Sequence, residues 1–137
     1  MLINKIFRRK IIKNMQGTSY FITIPKEIRE EMGLNSNMVA ELEFNEKDNS
    51  IFILFKENIE DSKLLLNENI YQRKVMNINQ QLLITLPIKK VQELDINEND
   101  FIDIDGNIEK KVLNIKLIGK DISTIKEEQI NNKREKI

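Results

Sequence analysis

The sequence predicts a mainly β protein with short helices, built from two β-hairpin–α–β-hairpin repeats. Three observations lead there. A gapless shift of 62 lays residues 21–55 on residues 83–117 with eight of 35 positions identical: Ile22, Thr23, Pro25, Glu31, Asn35, Asn37, Asn45 and Ile53 with their partners. Self-similarity at such a period governs the whole fold. Each copy carries a β-branched or aromatic run ending at a proline, which reads as a strand and its stop. Each also carries segments that alternate apolar and acidic residues, the period-two signature of half-buried strands.

Taken in order, each copy opens on an apolar run led by Arg-Lys, Arg9-Lys10 in the first and Arg73-Lys74 in the second. These two match once the turn of copy one is allowed two extra residues around 16–19. A strand follows at 20–24 and at 82–86. Pro25 and Pro87 then suit the first position of a helix, where a missing N–H costs nothing and φ is already set. In residues 26–32, Ile28 and Met32 sit four apart and form one apolar face, and Gly33 is a helix stop. Val91 and Leu94 form that face in copy two, where Asp95 replaces the glycine. Asn35-Ser36-Asn37 and Asn97-Glu98-Asn99 supply turn residues that tolerate left-handed backbone. Alternating strands at 39–44 and 101–105, turns at 45–50 and 106–110, and last strands at 51–55 and 112–118 complete the copies. A unit of this size cannot bury its sheet face alone and needs a second copy.

The chain of 137 residues is thus divided into repeat one (5–56), a linker (57–70), a divergent repeat two (71–119) and a charged tail (120–137) that is expected to be flexible. It has no His and no Cys, which excludes zinc fingers, His-based nucleophilic triads and disulfides. No base, nucleophile or phosphate-cradling glycine loop marks an enzyme. The acidic stretch 95–105 fails as a calcium loop because Asp100 stands where glycine is needed and Gly106 where the final Glu belongs. No cofactor and no metal are expected. No apolar run reaches membrane-span length, and the basic start MLINKIFRRKIIK has no apolar h-region after it. The expected location is the cytoplasm, associated with the nucleoid.

The string RKIIKNMQGTSYFITIPKEIREEMGLNSNMVAEL resembles the SpoVT/AbrB family, which includes the MazE-type antitoxins. The resemblance lies in a basic strand, a turn, ITIPKEIREEMGL, a second turn and V-A-E-L; RKVMNINQQLLITLPIKKVQELDINENDFIDI is a looser match. Together they cover about two-thirds of the chain. The resemblance implies a swapped-hairpin β-barrel in which two copies interleave their hairpins to make one DNA-binding surface. It also implies a transition-state-type regulator, or an antitoxin that binds its own promoter. The sequence departs from the family where Asn37-Met38 and Asn99-Asp100 replace the common Gly-Asp, and where Val91 occupies the basic helix position that Arg29 fills in copy one.

Lys+Arg and Asp+Glu both number 22, which at first argues against a polyanionic partner. By blocks the net charges are +4 (1–33), −5 (34–61), +4 (62–91), −7 (92–109) and +4 (110–137). The front of each repeat is basic and its back acidic, so a local positive field survives overall neutrality. In the implied barrel the basic fronts share one face, supplied mostly by Lys5, Arg8, Arg9, Lys10, Lys13, Lys26 and Arg29 and more thinly by Arg73, Lys74, Lys89 and Lys90. Tyr20 and Phe21 read as core residues rather than base-stacking ones.

The function expected is that of a non-enzymatic, sequence-selective regulator of double-stranded DNA. Its cations would grip phosphates, and Arg9, Lys10 or Arg29 would reach base edges. The alternative is a MazE-like antitoxin whose tail folds onto a toxin. Two assemblies are open: an intrachain pseudo-dimer of the two copies, or a homodimer in which each copy pairs with its twin. The unlike residues at matched positions, Arg29 against Val91 and Met38 against Asp100, favour the first.

Overall fold

A computed structural model describes residues 6–14, 16–57 and 70–119. Its elements are β1 (Phe7–Lys10), β2 (Ile12–Lys13), β3 (Tyr20–Thr23), α1 (Lys26–Met32), β4 (Met38–Asn45), β5 (Ser50–Glu57), β6 (Ile70–Lys74), β7 (Met76–Ile78), β8 (Gln81–Leu86), α2 (Ile88–Glu93), β9 (Phe101–Asn107) and β10 (Val112–Gly119). The described residues are mainly β, with antiparallel ladders and two short helices. Six strands run β1-β9-β10-β5-β4-β6 and four run β2-β3-β8-β7. Among the described residues the ladders do not close on themselves, so the expected barrel is replaced by two open sheets. They are joined at both ends by chain that changes sheet. Between β1 and β2 lies Ile11, fully buried, whose N–H donates to the Asp100 carbonyl at 2.8 Å and whose carbonyl accepts from the Asn99 N–H at 2.8 Å. Val75 plays the same part between β6 and β7, its N–H donating to the Met38 carbonyl at 3.1 Å. Each opening apolar run is therefore cut in two by a corner, the arrangement expected where strands switch between packed sheets.

Between the sheets lies one apolar core, in which Ile11, Ile22, Leu42, Ile51, Ile84 and Ile104 are among the fully buried side chains. Alternation places them there: β9 reads intermediate, buried, intermediate along its length, because successive side chains point to opposite faces. Ile28 and Met32 of α1 and Val91 of α2 are buried as their spacing predicts, and Leu94 packs against the core half-buried. Pro25 and Pro87 stand one residue before the first helical residue instead of in it, and their carbonyls accept the first helical bonds, from Arg29 and Val91 at 3.0 Å. Gly33 (φ 64) and Asp95 (φ 52) both turn left-handed after their helices. The Leu34→Arg29 and Ile96→Val91 bonds that close the helix ends are also alike, and tie off carbonyls the helices leave open. Gly106 lies inside β9 and not in the following turn. A Cβ built there meets Met32 Cε at 2.8 Å, so the glycine makes room for a side chain of α1.

Candidate nucleic-acid interface

Strand β1 carries three consecutive cations, and the pleat separates them. Arg8 and Lys10 face one way, opposite Asp103 and Phe101 of β9, while Arg9 faces the other, opposite Ile102. Arg8 Nε and Nη2 donate to the two carboxylate oxygens of Asp103 at 2.6 and 2.8 Å. That bond, acting against partial burial and aided by the Asp103 charge, holds the guanidinium above its ordinary pKa. Lys10 lies 5.5 Å over the Phe101 ring and Lys13 lies 5.3 Å over the Tyr20 ring. Arg9 donates to the Arg8 carbonyl at 2.9 Å with its guanidinium 5.5 Å from the Phe7 ring. Arg73 repeats this in β6, donating to the Gln72 carbonyl at 2.9 Å over Tyr71 at 5.7 Å.

The helices contribute unequally. Lys26 makes a long 3.9 Å pair with Glu30 between two highly exposed side chains, a contact worth little. Arg29 donates to the backbone carbonyl of Gln80 at 2.7 Å, joining α1 to the turn between β7 and β8. On α2, Lys89 is exposed, as is Lys74 at the end of β6. Lys90 is not available to a ligand: only 5% exposed, it is held by Glu46 at 2.9 Å and Glu93 at 3.1 Å, with the Phe44 ring 5.9 Å away. Its bonds to Glu46 and then Glu93 outweigh burial and raise its pKa. Lys5 and the tail 120–137 lie outside the described residues, as do residues 58–69 of the linker expected at 57–70, whose end residues Glu57 and Ile70 belong to β5 and β6.

Of the ten described cations that the sequence singles out, Arg9, Lys26 and Arg29 line one open groove of about 630 Å³, together with Glu30, Gln80 and Gln81. Sequence reasoning passes over the two glutamines, since nothing local ties the tip of one hairpin to a helix 51 residues earlier. A groove of about 770 Å³ beside the β4–β5 turn is lined by Glu43, Glu46 and Asp48 against Lys47, a field that repels phosphate. Among the described residues no group of three or more acidic side chains is gathered to hold a metal, and no helix is long and apolar enough to cross a membrane. No family model, curated protein or solved structure matches the chain.

Proposed function

We propose that the protein is a double-stranded DNA-binding regulator with the swapped-hairpin architecture of the SpoVT/AbrB type, its two repeats paired within one chain. The observation that carries the DNA reading is the convergence of Arg9, Lys26 and Arg29 on one groove. Three cations from a strand and a helix, set against the one carboxylate of Glu30, give a concave surface of net positive charge, suited to a phosphate backbone. Arg29 spends one of its five donors on Gln80, and the rest remain for a ligand. Lys90 is no longer a proposed contact.

Strand pairing supports the swapped reading. β1 pairs with β9 and β6 pairs with β4, so the first strand of each repeat joins the other repeat's sheet segment. The registers are interchangeable: Phe7 faces Ile104 as Tyr71 faces Leu42, and Arg9 faces Ile102 as Arg73 faces Ala40. Ile22 opposite Ile84 and Phe52 opposite Asn114 pair matched positions with each other, where an approximate two-fold axis would pass.

Gel-shift titration over a salt series tests the function. With about four phosphates neutralised, affinity should fall roughly a hundredfold between 50 and 200 mM salt. Arg29→Ala should weaken binding across sequences and reduce the logarithmic salt slope by about one. Binding that ignores salt, or is absent, would refute the reading.

A further inference from the structure

We infer that the side-chain amides of Gln80 and Gln81 are the base-reading groups of this groove, selecting an A·T base pair; the inference rests on the DNA-binding reading above. The groove is lined by groups of two chemical kinds. Arg9, Lys26 and Arg29 supply charge, while Gln80 and Gln81 supply neutral amides. Charge grips phosphates without reading sequence, whereas selection needs directional donors and acceptors at base edges. A glutamine amide offers both in the spacing that matches N6 and N7 of adenine. Both glutamines are exposed, and among the described residues neither side-chain amide has a hydrogen-bond partner. They sit at the end of the β7–β8 hairpin, and a two-stranded ribbon is a shape the DNA major groove admits.

The backbone adds an independent reason. Asn79 (φ 53) and Gln80 (φ 66) form a two-residue turn with both residues left-handed, a geometry for which Asn-Gly is the favoured sequence. Asn is present, but a long amide replaces glycine. Such breaks of a local rule are expected where a side chain has a functional task. The Gln80 carbonyl, bound by Arg29 at 2.7 Å, fixes the turn against α1, so the amides are presented from an anchored backbone. Because that anchor is main chain, truncating either side chain leaves it in place.

Selection of bound duplexes from a random pool, with the full-length chain and its variants, tests this. Wild type should enrich sites with a fixed A·T pair. Gln80→Ala and Gln81→Ala should each reduce the preference for that pair roughly five- to hundredfold, with non-specific affinity and salt slope unchanged. Gln81→Glu should move preference at that position toward cytosine, whose amino group donates to a carboxylate. An unchanged preferred base in all three folded variants overturns the inference alone, as does weakening by an equal factor on every sequence. Failure of the wild type to retain any DNA overturns the DNA reading and this inference with it.

Discussion

Lys90 shows how a charge can be structural. Its position matches Ile28 under the shift of 62, and Glu46 likewise matches Ile108, which packs against the core. The helix-to-turn pair Lys90–Glu46 is ionic, while the matched positions Ile28 and Ile108 are both apolar. The lysine stem is buried, while Glu46 and Glu93 keep 59% and 40% of their side-chain surface exposed. Lys90→Ala should therefore cost about 1–2 kcal/mol in urea unfolding, below the loss for a fully buried pair because the stranded carboxylates are hydrated. Lys90→Met should restore most of it by keeping the stem. The raised pKa gives a sign to the pH dependence. The pair's contribution is complete below the ordinary lysine value of 10.5 and is lost as pH rises through the higher folded value. Lys90→Met should remove that alkaline component, and identical alkaline unfolding curves would contradict the assignment. DNA affinity should be unaltered in Lys90→Met, in contrast to Arg29→Ala.

At the scale of elements, the contact between α1 and β9 is set by the absence of a side chain. Phe44 occupies in β4 the position that Gly106 holds in β9, and the glycine leaves space for Met32. Gly106→Ala places a Cβ 2.8 Å from Met32 Cε and 3.0 Å from Leu113 Cδ2. Met32 can shift, since its end is flexible, but Leu113 is fully buried. The expected loss is about 1–3 kcal/mol in thermal or urea unfolding, and Met32→Ala should add less to it than its separate cost, because the two share one space. Strict additivity would show that Met32 is not the obstructing group. The helices, the glycine stop after α1 and the long alternating strands were legible from residue type and spacing, whereas the left-handed turn at Asp95 was not. The split of each opening run into two strands was not. Ile11 and Val75 are ordinary β-branched residues, and only their bonds to Asp100, Asn99 and Met38 mark them as corners.

For the whole molecule, the pairing of unlike halves carries its own selectivity. Were each repeat to pair with its twin in a second chain, Glu46 would meet Ile28 and Lys90 would meet Ile108, leaving both charges without partners. Phe44 would crowd Met32 in one such pair, and Gly106 would leave a void in the other. These mismatches oppose like-with-like association. Proteolytic cleavage inside 58–69 should accordingly leave two fragments that co-elute as one-to-one complexes on a sizing column and keep their sheet signal. The double variant Lys90→Ile, Glu46→Ile should permit self-pairing of separated fragments. Fragments that part on cleavage would contradict the cross-paired ladders β1·β9 and β6·β4 as the source of cohesion. By itself the sequence determined the mainly β class, the order of elements, the helix faces and the alternation of basic and acidic blocks, because each depends on neighbours within a few residues. The tertiary structure alone decided which cations share a groove. Pleating turned Arg9 away from Arg8, Asp103 claimed Arg8 from 95 residues away, Glu46 drew Lys90 inward, and the β7–β8 turn brought Gln80 to Arg29. The even count of 22 cations and 22 anions could not foretell that sorting, since Coulomb and hydrogen-bond partners are assigned by distance in space and not along the chain.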